Sequence, residues 1–399
     1  MKRSVVGILT HLTLFLALAV LAPRAVQASD HADPMILENP DANITGLFFF
    51  PKGDQMILVL NVRRALTAPK PYNLEGIEFV VHMDLHSQVT FDSNEDRARY
   101  GGTIVKPDGL TSDVTIKFQL NNDTTVKGGK PSIEGLKDPD SIRIFTGVRD
   151  DPFIFPRFFK KNVISMVMSI PMSSFPAGQR DWILWGSTYK DGKQIDHVGR
   201  SNRTQLARFD TLNPLPPTEH IPEIMRLLNS TNDLYTFLNG YKQSKPEAGF
   251  VQYVLQIRKY DLATDVMIYT NRFPPGFPNG RQLPDDIVAL TCATGDCILQ
   301  ELSFVEGGWP RAVVNDKPFS DEFPFLAEPW PDKAEPPAPP SVYSAGFVTG
   351  GIRLLAHYIG WPLLILILIV IVAGIIRLIQ FIWFLVRLLT GQSRRPAHG

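Results

Sequence analysis

Cysteine is nearly absent from this chain: its 399 residues include only Cys292 and Cys297. That excludes a disulfide-framework fold and leaves room for a single bridge. An excess of one charge sign is also lacking, because Lys plus Arg and Asp plus Glu number 40 each. Nothing in that balance draws the folded part to nucleic acid, which is not among the expected partners. Catalytic signatures are missing too. No GxSxG, HExxH or phosphate-binding glycine loop occurs, and no catalytic constellation is recognised. Glycine (29) is outnumbered by proline (33), and Phe (25) is the dominant aromatic. Proline breaks helix interiors, so this balance favours strands joined by Pro-marked turns.

The two ends carry the strongest patterns. Residues 1–28 have the layout of a signal peptide: Lys2 and Arg3, an apolar run over 12–22 (LTLFLALAVLA), then Val26-Gln27-Ala28 at the cleavage positions. Near the other end, 354–376 is an apolar segment with His357 as its one strongly polar side chain. At ~1.5 Å per residue it is long enough for a transmembrane helix across a ~30 Å core. Arg377, Arg387, Arg394 and Arg395 follow, with no acidic residue after Ile376. The positive-inside bias then makes 377–399 a basic cytoplasmic tail. The expected placement is the cell inner membrane, single-pass, with the N-terminal domain in the periplasm. Residues 378–389 (LIQFIWFLVRLL) are also apolar. They either extend the span with Arg377 snorkelling or lie along the interface. A Pro-rich linker, 328–353, opens with EPWPDKAEPPAPPS and reads as an extended spacer.

Between the ends, 29–327 reads as an exported β-rich domain. Apolar–polar alternation or short apolar runs predict strands over 47–50, 56–62, 77–85, 114–120, 141–146, 162–170 and 182–189. Turn residues at 52–54 (KGD) make the first two a hairpin. Regular spacing of short strands points to a mainly β fold, a β-sandwich. Apolar residues at helical spacing near 221–260, with Pro222 suited to a first turn, predict a helical insertion.

Several segments carry a resemblance. They are 29–34 (SDHADP), 41–50 (DANITGLFFF), 143–155 (RIFTGVRDDPFIF), 277–288 (FPNGRQLPDDIV) and 314–329 (VNDKPFSDEFPFLAEP). Together they resemble a family of bacterial secreted proteins known as domain of unknown function 4331. The resemblance implies a cell-envelope location and no established reaction. The chain departs from the family pattern at Gly46, where relatives often carry an acid, and at 84–88 (DLHSQ), where an Asp- and Gly-rich turn is usual. A cation held through those carboxylates in relatives is therefore not implied here.

Two groups of residues could hold a metal ion. His82, Asp84 and His86 share one face if VVHMDLH is a strand, since side chains there alternate with period two. The plainer reading is the polar face of a half-buried strand. Cleavage after Ala28 would also leave Ser29-Asp30-His31 at a free amine. Amine, two amides and the His31 imidazole form a square-planar nitrogen set that suits copper. Asp150 with Asp151 and Asp285 with Asp286 are acidic pairs, with Arg281 a candidate partner. They read as turn and cap residues rather than the paired acids of a glycosidase. Export would place Cys292 and Cys297 in an oxidising compartment, where they are expected to form a disulfide.

The leading functional expectation is a membrane-tethered, non-enzymatic domain that binds a ligand or an envelope protein partner, with the lipid bilayer engaged by the C-terminal helix. A copper-type envelope metal protein is the alternative, and a carbohydrate-active enzyme a weaker one.

Overall fold

The structure is a computed structural model that describes residues 40–66, 72–152, 160–200, 203, 207–228, 261–287, 290, 315–331 and 360–389. The chain divides into two compact units, Met1–Glu335 and Pro336–Gly399.

The described strands are β1 (Ile44–Lys52), β2 (Gln55–Leu66), β3 (Ile77–Asp84), β4 (Val89–Thr90), β5 (Thr103–Ile104), β6 (Val114–Gln119), β7 (Ser132–Glu134), β8 (Arg143–Asp150), β9 (Asn162–Pro171), β10 (Asp181–Lys190), β11 (Lys193–Val198) and β12 (Met267–Thr270). Helix α1 is Asn94–Tyr100 and helix α2 is Trp361–Leu389. All strand pairs are antiparallel. One sheet has the order β1-β2-β9-β8, and a larger one the order β11-β10-β3-β6-β7, with β12 pairing the first half of β10 beside β11. The predicted β1–β2 hairpin closes through Gly53 and Asp54, with Lys52 opposite Gln55 and Gly53 at φ 63. Glycine takes that left-handed conformation without steric cost.

The two sheets share one core, so the unit is the β-sandwich expected from the strand spacing. Leu58 and Leu60 of β2 and Met166 and Met168 of β9 face Phe79 and Val81 of β3 and Leu184 of β10 across it. Trp182 sits at its centre, with ring centroids 5.4 Å from Tyr269, 5.6 Å from Phe175 and 6.3 Å from Phe49. Each fully buried ring of this size stabilises the fold by roughly 1.5–3 kcal/mol relative to exposure.

Both sheets are also covered on their outer faces. Phe48, Phe50, Ile57, Val59 and Val167 meet Leu283 and Leu326 on the far side of the four-stranded sheet. Ile183 and Trp185 of β10 meet Val89 and Leu110, from the excursion between β3 and β6. This second burial explains why β1 and β9 are apolar nearly without interruption, where a one-sided strand would alternate.

A helix is present over 220–228, at the start of the expected helical insertion; the remainder of 221–260 lies outside the described residues. In the second unit, α2 runs well beyond the expected 354–376. The part of it long and apolar enough to cross a membrane is Ile365–Val386, so Leu378–Leu389 continues the same helix and Arg377 lies inside it rather than in a tail. Pro362 falls in its first turn, where a missing N–H costs nothing.

Candidate functional site

The His82–Asp84–His86 group is divided by the end of β3, which stops at Asp84. His82 stacks on Trp185 (5.2 Å between centroids, 16° between planes), and its Nδ1 pairs with Ser112 Oγ at 2.9 Å. Burial, with His197 and Lys117 nearby, pushes its pKa down to about 4. Asp84 is buried, and its carboxylate accepts from the backbone N–H groups of His86, Ser87 and Thr111 and from Ser87 Oγ. His86 points outward to Asp113 at 2.8 Å. The three side chains are therefore committed to three different partners and are not brought together. Among the described residues no group of three His, Cys, Asp or Glu is arranged to hold a metal ion.

A cleft of about 480 Å³ opens at the other end of the larger sheet. The start of β3, the end of β6 and the β10–β11 turn form its walls, supplying Glu78, Gln119, Asn121, Lys127 and Tyr189. Gln119 Nε2 donates to Glu78 Oε1 at 2.6 Å, and Lys117 Nζ lies 3.3 Å from Glu78 Oε2. These contacts orient the carboxylate while leaving it half-exposed. Tyr189 donates its hydroxyl to Gln194 Oε1 at 3.2 Å, and burial raises its phenol above the ordinary value. It therefore presents a neutral ring and hydroxyl. The wall combines three carboxylates (Glu75, Glu78 and Asp191), one ammonium, three amides and one phenol, a set able to donate and accept hydrogen bonds around a small polar molecule. No local motif announces this cleft, because its residues come from four separate segments.

A second cluster lies wholly inside the domain, beneath the loop after β11. Asp265, just before β12, is fully buried and accepts from the backbone N–H groups of Gly199 and Arg200, each at 3.0 Å. Arg200 Nε lies 3.6 Å away and His197 Nε2 3.4 Å away. Burial alone would raise this carboxyl. The His197 hydrogen bond and the Arg200 and Arg203 charges overcome it and hold the group well below the usual carboxylate range. Burial and the neighbouring Arg203 draw Arg200 down to about 10. His220 accepts at Nδ1 from the Asp265 N–H (3.2 Å), so its Nε2 carries the proton given to the Leu215 carbonyl (3.1 Å). This is the neutral imidazole, in keeping with a pKa that burial and His197 lower to about 3. A Cβ at Gly199 would lie 2.2 Å from the Asp265 carbonyl oxygen, so only glycine permits this approach. The cluster ties β11 to β12, and its Arg200 also lines a smaller cavity of about 130 Å³ with Asp96, Tyr100 and Thr264.

The third group explains the acidic pairs. Asp150, at the end of β8, accepts from Asn315 Nδ2 (2.9 Å) and Trp330 Nε1 (2.7 Å). Burial pushes its pKa up to about 7, opposed by the Asn315 and Trp330 hydrogen bonds and aided by Asp316 and Asp151. Asn162 exchanges two hydrogen bonds with the Trp330 backbone, and Lys317 caps the Glu328 and Pro329 carbonyls. Residues 328–330, expected to open the spacer, are thus clasped to the β8–β9 edge. Asp285 uses Oδ2 to accept from the Phe277 and Gln282 N–H groups, a turn-capping role. Arg281 is buried over the Phe48 ring at 3.9 Å, with its backbone bridged to Phe49. Segments 41–50, 143–150, 277–287 and 315–329 therefore meet around the outer face of the four-stranded sheet.

His31, Cys292, Cys297 and His357 lie outside the described residues, as do residues 1–28. A scan of the chain against protein-family models and a search of curated proteins both return no match.

Proposed function

We propose that this chain is a membrane-anchored binding protein whose β-sandwich takes a small polyhydroxylated ligand in the cleft beside Glu78 and Tyr189. The observation that carries the reading is that cleft: about 480 Å³, within the usual range for small-molecule sites, and edged by hydrogen-bonding side chains on rigid strands. Glu75, Glu78 and Asp191 outnumber Lys127 along the wall, so it disfavours an anion, and its carboxylates, amides and phenol suit the hydroxyl groups of a neutral molecule. The same proposal places the sandwich outside the cytoplasm, supported by the signal-like residues 1–28 and the arginines after α2. The resemblance to domain of unknown function 4331 belongs to it as well.

The test is calorimetric titration of the full chain, in lipid nanodiscs, with a panel of neutral mono- and oligosaccharides. At least one should bind, and Glu78→Gln or Lys127→Ala should each weaken it by about tenfold or more, the loss of one charge-assisted hydrogen bond. Absence of binding across the panel, or binding indifferent to both variants, would overturn the reading.

A further inference from the structure

The second unit holds a charge in an unexpected place. Helix α2 begins at Trp361, so the stretch Trp361–Ile376 is only about 24 Å long at ~1.5 Å per residue, short of a ~30 Å core. A helix that crosses must therefore use the turns beyond Arg377. In the apolar window Ile365–Val386, Arg377 stands about 18 Å from one end and about 13 Å from the other. With Ile365–Val386 spanning the core, that depth is beyond the reach of a side chain of ~6 Å, and snorkelling does not carry this guanidinium to the interface.

The residues around it form a face. At ~100° per residue, Val370, Ala373, Gly374, Gln380, Phe381 and Phe384 lie within about 60° of Arg377. The opposite side carries Leu368, Val372, Ile375, Ile379, Ile382 and Val386, all aliphatic. Gly374 carries no side chain, which leaves a notch in the helix surface beside the charge. Small residues let a second helix approach closely, and a buried guanidinium calls for a carboxylate, which it can grip in two parallel hydrogen bonds.

We propose that the Ala373–Gly374–Arg377–Gln380 face of α2 docks a membrane-spanning helix of another protein that carries an Asp or Glu near mid-depth. A second copy of this chain is a poor occupant. A symmetric parallel pair joined through this face would set Arg377 against Arg377, and no acidic residue occurs in α2 to relieve it. The inference is independent of the cleft.

The full chain, labelled in its C-terminal tail and reconstituted in phosphatidylcholine vesicles at pH 8, would be mixed with synthetic Leu/Ala-rich spanning peptides. One peptide carries a central Glu and a matched one a central Leu, and energy transfer reports association. The Glu peptide should associate about tenfold or more tightly than the Leu peptide. Arg377→Leu should abolish that preference and Arg377→Lys should keep most of it. Equal association of the two peptides, or a preference unchanged in Arg377→Leu, would overturn the proposal. So would energy transfer between two copies of the chain that excess Glu peptide leaves undiminished, because the face would then join copies.

Discussion

Asp265 and Asp150 are both buried carboxylates in the same sandwich, yet they are held in opposite ways. Asp265 faces two backbone N–H donors, an imidazole and a guanidinium, and is kept ionised. Among the described residues Asp150 faces the neutral donors of Asn315 and Trp330, with two further carboxylates nearby, and its pKa rises to about 7. Burial penalises both charges alike; the surrounding donors decide which survives. The first arrangement is a permanent weld between β11 and β12. The second is a clasp whose charge changes near neutral pH, on the residues that open the Pro-rich stretch.

The largest effect should come from breaking the weld. Asp265→Asn leaves Arg200 and Arg203 buried without their carboxylate, and a loss of about 3–5 kcal/mol is expected. Chemical denaturation of the full chain in detergent would measure it, and a loss below ~1 kcal/mol would mean that the cluster is not a weld.

The clasp should respond differently. A folded pKa near 7 lies above the unfolded value of about 3.9, so the native state binds the extra proton between those limits. Asp150 therefore contributes most stability at acid pH, and the contribution is lost as pH rises from about 4 to about 7. The stability gap between the wild type and Asp150→Asn should fall across that window by roughly 2–4 kcal/mol at ~1.4 kcal/mol per pKa unit. His82 and His220, whose lowered pKa values make the fold lose stability as pH falls below about 6.5, are present in both proteins and cancel in the difference. A gap that is flat with pH would show that Asp150 stays ionised, and the contrast with Asp265 would collapse.

The smallest effect sets the baseline for an exposed carboxylate. Asp113 holds its carboxyl low despite partial burial, through the Leu85 N–H and His86, and it raises the His86 pKa in return. Histidine-ring NMR should show His86 titrating above 6.5 in the wild type and returning to the ordinary value in Asp113→Asn. Thermal melts of the two should nearly coincide, since exposed pairs contribute little.

Much of the fold was legible along the chain. Alternation located β3 and β6, and short apolar runs located β1, β2, β8, β9 and β10, to within a few residues, because the burial pattern of an extended strand is a local property. Strand β11 (KQIDHV) escaped, its alternation being weak, and β12 has only four residues. The double coverage of the sheets could not be foreseen, since unbroken apolarity says that two faces are buried without saying by what. His82, Asp84 and His86 followed the right period, but the strand ended two residues too soon to carry it. The partners of Asp265 are up to 68 positions away, and the cleft draws on residues from Glu78 to Tyr189.

Composition and periodicity sufficed for a β-rich sandwich and one apolar helix, since hydrophobic patterning and helix length are written residue by residue. Which carboxylates stay charged, where a cleft opens and what clasps residues 328–330 were decided only on folding. Each depends on the donors and charges that tertiary contact brings within a few ångströms, and the energy of a buried charge is set by those neighbours rather than by its own place in the chain.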